Sequence, residues 1–209
     1  MTRNGDIKLI QIENKLYNEG YDLIACIDEV GRGCLAGDVL ACAIVMPKDI
    51  IINGVTDSKK LSIKKREELY EKIIKAAIAI GIGRVNSKVI DQINIKESTR
   101  IAMKQAVLNL TDQLGNTVTP DYLLVDAEKI PIAIPQMNLI KGDEKSHGIA
   151  CASIVAKVYR DELCKEWGLE YPGYKIEKNK GYGTKEHRDA LKERGPSPIH
   201  RISFLKNIL

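Results

Sequence analysis

Asp28 and Glu29 stand side by side where the apolar run of residues 23–27 ends, and Gly31-Arg32-Gly33 follows at once. Adjacent strand residues point to opposite faces. Two neighbouring carboxylates therefore serve one site only if the strand ends there, and the glycines make such a break possible. A solvated turn after a strand is the plainer account. Asp126 repeats the arrangement, since Leu123-Leu124-Val125 runs straight into an acid. Sites in mixed sheets gather at strand ends, although a lone acid there also reads as a turn or cap residue. Asp143 follows Lys141-Gly142 and shortly precedes a long helical segment, where the default role of an acid is N-cap or helix-dipole partner. If the two strands are neighbours and the helix begins beside them, the four acids converge. Four carboxylates with no Cys or His ligand set suit hard, oxygen-preferring cations such as Mg2+ or Mn2+ rather than zinc.

Gly31-Arg32-Gly33 continues to Gly37 as G-x-G-x-x-x-G with no helical pattern immediately after it, so a dinucleotide fingerprint fails. No G-x-x-x-x-G-K-[ST] occurs either, which removes the main evidence for a P-loop nucleotidase. Glycines flanking an arginine let backbone amides approach a ligand while the guanidinium grips phosphate; a flexible turn is the alternative. Basic residues also interleave in Asp57-Ser58-Lys59-Lys60-Leu61-Ser62 and in Lys180-Gly181-Tyr182-Gly183-Thr184. Tyr182, between two glycines, is poorly shielded and could stack on a sugar or base, or it could anchor the loop in the core. Ser146, Ala150, Ser153, Lys157 and Arg160 align as one mostly polar helical stripe, and such stripes are usually solvated. His147, His187 and His200 lie too far apart in sequence to suggest a ligand set.

The elements that must position these groups are legible from periodicity. Residues 6–18 read as an amphipathic helix ending at Gly20, and residues 23–27 and 39–46 as buried strands, the second stopped by Pro47. A helix over 62–78 takes Ser62 as its N-cap; a strand over 78–85 follows, then a helix over 95–113 and a strand over 122–125. Pro131 and Pro135 punctuate the next connection. Residues 146–167 form the longest helix candidate, and 184–194 the last, before Gly195-Pro196. Strands first and then alternation with helices predict an α/β fold with a mixed sheet and helices on both faces. At 209 residues one domain is expected, with a helix within about 1–20 and a basic C-terminal segment over about 171–209.

Hydrophobic residues at 44% and charged residues at 29% place the chain among ordinary globular proteins. The net charge of +4 does not by itself imply an anionic partner. Its distribution says more: from Tyr171 onward nine Lys and Arg face four acids, which suits phosphate contact and a solvated surface alike. Five cysteines, none spaced as Cys-x-x-Cys, read as reduced thiols acting as small hydrophobes. The charged start without a signal-peptide core, and a longest apolar stretch near 76–82, lead us to expect a cytoplasmic protein without a membrane span. Nothing demands more than a monomer.

Taken in order, Asp28-Glu29-Val30-Gly31-Arg32-Gly33, Asp57-Ser58-Lys59-Lys60-Leu61, Asp126, Lys141-Gly142-Asp143, residues 152–161 and Lys180-Gly181-Tyr182-Gly183-Thr184 resemble ribonuclease HII over about residues 23–204. The resemblance implies a single catalytic domain of ribonuclease H-like fold. The implied activity is a two-metal endonuclease with Mn2+ or Mg2+ as cofactor, acting on RNA–DNA hybrids and on ribonucleotide-containing duplex DNA. It would cut 5′ of the ribonucleotide and leave 3′-hydroxyl and 5′-phosphate ends, work that belongs to ribonucleotide excision repair and DNA replication. By the same resemblance Asp28, Glu29, Asp126 and Asp143 are the catalytic, metal-binding acids. Gly31, Arg32 and Gly33 sense the ribose 2′-hydroxyl and neighbouring phosphate, Tyr182 packs on the adjoining deoxyribose, and Lys59, Ser146 and Lys157 join the substrate-binding set. Cys34 and Asp38 stand where the family commonly has proline; Asp38 is expected to bring a negative charge near the substrate loop. The related ribonuclease HIII normally carries an extra N-terminal domain, for which the roughly twenty residues before the first expected strand are too few, so HII is the better match.

Overall fold

The apolar runs pair into a five-stranded sheet of order β3-β2-β1-β4-β5, with β1 (Ile24–Val30), β2 (Val39–Val45), β3 (Ala79–Val85), β4 (Tyr122–Asp126) and β5 (Gln136–Leu139). β1, β2 and β3 form an antiparallel meander, while β4 runs parallel to β1 and β5 parallel to β4. This computed structural model describes residues 9–56 and 58–209; residues 6–8 of the expected first helix, Asp57 and the side chain of Lys59 lie outside the described residues. The helices are α1 (Gln11–Asn18), α2 (Ile63–Ala76), α3 (Ser87–Ile93), α4 (Ile95–Leu108), α5 (His147–Glu170), α6 (Ile176–Asn179) and α7 (Lys185–Arg194).

Period two sorts the sheet into two cores. Ile24, Cys26, Leu40, Cys42, Ile44 and Leu124 face α5 and α2, whose Ile149, Cys151, Ala152, Leu69 and Ile73 cover them. Ala25, Ile27, Ala41, Ala43, Leu123 and Val125 face α4 through Ala102, Met103 and Ala106. The mixed sheet covered on both faces is the expected one. All five cysteines are free and buried, as expected of small hydrophobes, and among the described residues no helix is long and apolar enough to cross a membrane.

Differences from the expected elements have local causes. α2 stops at Ala76 because Ala77 turns extended to enter β3. α4 stops at Leu108, where the Asn109 side-chain Nδ2 donates to Ile82 O at 2.9 Å and Thr111 bridges back to Ile80. α3, α6 and β5 were not expected; each is short, and β5 is an edge strand paired only with β4.

The start of α5 is fixed by α1. Ser146 caps α5, accepting from Ile149 N at 3.1 Å, and its hydroxyl donates to Glu13 Oε1 at 2.6 Å. The Gly148 amide reaches the same oxygen at 3.1 Å. α5 can approach β1 this closely because a Cβ at Gly148 would collide with Cys26.

Candidate metal and substrate site

The strand does not end at Asp28, as expected, but runs to Val30 in its pairing with β2. What ends is the ladder with β4, whose last pair is Ile27 with Val125. Beyond it the sheet opens between β1 and β4, and Asp28 approaches from the α5 face while Glu29 approaches from the α4 face. Asp126, the last residue of β4, joins them there. Among the described residues, oxygens of Asp28, Glu29 and Asp126 lie within 4.8 Å of one another.

Each acid is held from a different direction. Asp28 is buried, accepts the Glu29 amide at 2.8 Å and takes the Ser153 hydroxyl, which in turn lies 2.9 Å from Ser58 Oγ. Asp126 Oδ1 accepts the Gly142 amide at 2.7 Å. That bond fastens the turn Gly142–Glu144, and with it the half-buried Asp143, to the end of β4. Asp143 is not the N-cap of α5; Ser146 is. Glu29 Oε1 receives Arg32 at 3.5 Å, whereas Oε2 is buried without a hydrogen-bond partner among the described residues.

Burial pushes the Asp28 carboxyl well above the usual range, and the charges of Glu29 and Asp126 push it further. Glu29 is also raised by burial, against the opposing pull of Arg32. Crowded, desolvated acids are poor neighbours unless a cation joins them.

The expected polar stripe on α5 is not solvated. Ser146, Ala150, Ser153 and Arg160 are buried, and Lys157 is half-buried with its ammonium 2.6 Å from Asp161. Ser146 in particular has no surface to offer a substrate; its hydroxyl is spent on the cap and on Glu13. Arg160, wholly buried, donates to the carbonyls of Asp38 at 3.1 Å, Ala36 at 3.2 Å and Lys180 at 2.8 Å. It thereby ties the loop carrying Gly31, Arg32 and Gly33 to the turn carrying Tyr182.

Within that loop the two glycines differ. Gly31 has φ +91°, and a Cβ there would strike Arg160, so its conformation and packing both require glycine. Gly33 is exposed with nothing within 4 Å of where a Cβ would be; the protein's own packing does not explain it. Arg201, also fully buried, donates to Arg32 O at 2.9 Å and twice to Gly37 O, at 3.0 and 2.8 Å.

Tyr182 is 42% exposed, and the Cys34 thiol beneath it reaches both the tyrosine side chain and, at 3.4 Å, Lys180 O. Two of the three histidines, His187 and His200, meet after all, while His147 accepts the Ile52 amide at 3.0 Å. His187 Nδ1 faces Tyr182 O at 2.9 Å, and its Nε2 lies 3.0 Å from Nε2 of His200, whose Nδ1 accepts the Ser197 amide at 2.9 Å. A carbonyl can only accept, so His187 is protonated at Nδ1 and His200 at Nε2, and the neutral pair forms a directed chain ending on the Tyr182 carbonyl. Asp38 does not bring a loose charge to the loop: it is buried and paired with Arg84 Nε at 2.7 Å.

Lys59 sits in the turn Ser58–Lys60, which Arg66 anchors by donating to Ser58 O at 3.0 and 2.9 Å and to Leu61 O at 3.0 Å. Arg66, Ser153, Arg201 and Glu128, an acid facing Arg32, were not singled out as site residues from sequence. Of these only Ser153, on the α5 stripe with Arg160, gave a periodic signal.

A family model for ribonuclease HII matches residues 25–207. Ribonuclease HII of Alkaliphilus oremlandii (strain OhILAs) is 63% identical over 200 residues, covering 96% of this chain and 98% of the relative. Ribonuclease HII of Caldicellulosiruptor bescii is 55% identical over 210 residues, covering 100% and 99%. Among solved structures, ribonuclease H2 from Pyrococcus horikoshii OT3 superposes with a TM-score of 0.71 at 24% identity, covering 88% of this chain and 96% of that one, which shows a shared fold.

Proposed function

Because the chain belongs to the ribonuclease HII family of metal-dependent endonucleases, we propose that it hydrolyses the RNA strand of RNA–DNA hybrids and cuts duplex DNA 5′ of a single embedded ribonucleotide, leaving 3′-hydroxyl and 5′-phosphate ends. The observation that carries this reading is the meeting of Asp28, Glu29 and Asp126 at the opened end of β1 and β4, beside a Gly-Arg-Gly loop that Arg160 ties to the Tyr182 turn.

The donor set fits a hard divalent cation. It is all carboxylate oxygen, one buried Glu29 oxygen lacks a hydrogen-bond partner among the described residues, and the burial that raises Asp28 is relieved by positive charge. Asp28, Glu29 and Asp126 would hold Mg2+ or Mn2+, with Asp143 completing the set from the turn fastened to Asp126. When bound, a pair of such cations activates the attacking water and stabilises the leaving 3′-oxygen.

The rest of the site recognises and orients. The 2′-hydroxyl is the chemical difference between RNA and DNA at the cut, and the open backbone at Gly33 lets a sugar come close. Arg32 grips phosphate, and Lys59 and Lys157 add positive charge along the strand. Tyr182 packs on the deoxyribose that follows the ribonucleotide, testing for a junction. Ser146 has no part in this binding.

The test is a labelled DNA duplex holding one ribonucleotide, beside an all-DNA duplex, with Mn2+, Mg2+ or chelator. A single metal-dependent cut 5′ of the ribonucleotide is expected, and none in all-DNA. Binding without a cut under either metal would overturn the reading. Tyr182→Ala should lower kcat/KM at isolated ribonucleotides about tenfold more than on long hybrids, the worth of one stacking contact. An equal loss on both substrates would make Tyr182 a structural residue.

A further inference from the structure

The Arg32 guanidinium is bracketed by two acids. Its NH1 lies 3.5 Å from Glu29 Oε1 and its NH2 lies 3.4 Å from Glu128 Oε1. Glu128 is buried, and its other oxygen takes Arg100 Nε at 3.2 Å; Arg100 is itself paired with Glu97 at 2.9 Å. The backbone goes out of its way to put Glu128 there. Ala127 adopts a left-handed φ of +54°, uncommon for a residue with a Cβ, and the Glu128 amide turns back onto Asp126 O at 2.6 Å. Arg32 thus has its carbonyl held by Arg201 and its guanidinium steadied by Glu128, while its side chain as a whole stays 37% exposed.

We propose that Glu128 is a positioning residue that aims Arg32 at the substrate phosphate. This rests on the reading of Arg32 as a phosphate ligand given above. Glu29 cannot fill the role alone, because a cation held by its carboxylate would compete with Arg32 for the same oxygens, whereas Glu128 stands outside the Asp28, Glu29 and Asp126 group found among the described residues and is anchored by Arg100. A flexible arginine loses rotamer freedom when it grips phosphate; one already braced by a carboxylate loses less.

The sign of the effect separates this role from a bystander's. Removing an acid near a phosphate site relieves repulsion and tightens binding; removing the brace loosens it. Four proteins are compared: wild type, Glu128→Ala, Arg32→Ala and the double variant. KM and kcat are read with Mn2+ on the single-ribonucleotide duplex, and the Kd of a fluorescent duplex is read by anisotropy in chelator. Glu128→Ala should raise KM and Kd about fivefold with kcat within about twofold of wild type, and should add nothing in the Arg32→Ala background. Glu128→Gln, which keeps the shape and loses the charge, should move KM in the same direction and covers the case in which the alanine variant folds poorly.

Tighter or unchanged binding by both Glu128 variants, or the same loss with and without Arg32, would overturn the proposal while leaving the reading of Arg32 intact. If Arg32→Ala itself binds and cuts like wild type, the reading of Arg32 fails and the role of Glu128 falls with it.

Discussion

Asp126→Asn is expected to lower the cutting rate about a thousandfold or more, and at the same time to make the metal-free protein more stable. The loss follows from removing one of three carboxylates that meet within 4.8 Å; weakening transition-state charge stabilisation by about 4 kcal/mol is a thousandfold in rate. The gain follows from the same crowding. The asparagine carbonyl oxygen can still accept the Gly142 amide that Asp126 Oδ1 accepts at 2.7 Å, so the turn stays fastened while one source of repulsion disappears, by about 1 kcal/mol. Urea unfolding in chelator reads that gain. Adding Mn2+ should stabilise the wild type by about 2.7 kcal/mol at a hundred times its Kd and the variant by much less. A variant that cuts normally, or that Mn2+ stabilises as much as the wild type, would remove Asp126 from the metal set.

Acidity has a matching signature in the metal-free protein. The folded-state pKa values of Asp28 and Glu29 are raised, by burial first in each case. In the folded state they hold protons that the unfolded chain releases near pH 4. Their contribution to stability is therefore fully present below that pH and is lost as pH rises through the raised folded values. Metal binding at neutral pH reverses the penalty, since the ionised acids then have a cation to face.

Much of this site is legible in the sequence, and the parts that are not share a cause. Asp28, Glu29 and Asp126 announce themselves because an acid directly after a buried apolar run breaks a local pattern. Ser62, Ser146 and Thr184 sit at helix starts for reasons written within a few residues of each. β5 was missed because a four-residue edge strand following Pro135 carries no periodic signal of its own; its register comes from β4. The direction of the α5 stripe was misread for a related reason. Serine and arginine on one helical face are solvated unless something polar waits on the other side, and here Asp28, Glu13 and three loop carbonyls do. Arg201 donates to Arg32 and Gly37, and His187 meets His200. The Arg201 partnerships join segments 164 and 169 residues apart, so no window of sequence contains both members; His187 and His200 are only 13 residues apart, but one lies in α7 and the other beyond its end, so no shared period relates them.

The largest expected effect on stability belongs to Arg160. Its guanidinium is wholly buried, and its strongest partners are neutral carbonyls, those of Asp38, Ala36 and Lys180, with the Trp167 ring 5.9 Å away. Arg160→Met keeps the apolar stem against Trp167 and withdraws donors from three carbonyls, at a cost of about 1–3 kcal/mol for each group left unsatisfied. These costs are not additive, and the whole is expected near 3–5 kcal/mol, a large share of a typical domain's stability. Arg160→Lys keeps the charge, but one ammonium cannot span three carbonyls reached from different sides by a planar fork, so about half of that loss should remain. The two substitutions also separate folding from function. Arg160→Lys should stay folded at 25 °C while its KM rises on long hybrids and isolated ribonucleotides alike, because the Gly31–Arg32–Gly33 loop and the Tyr182 turn move apart together. Urea unfolding and paired kinetics on the two substrates measure both effects. An Arg160→Met protein within about 1 kcal/mol of wild type, with the preference proposed for Tyr182 intact, would show that the Gly31–Arg32–Gly33 loop and the Tyr182 turn hold their places without the clamp.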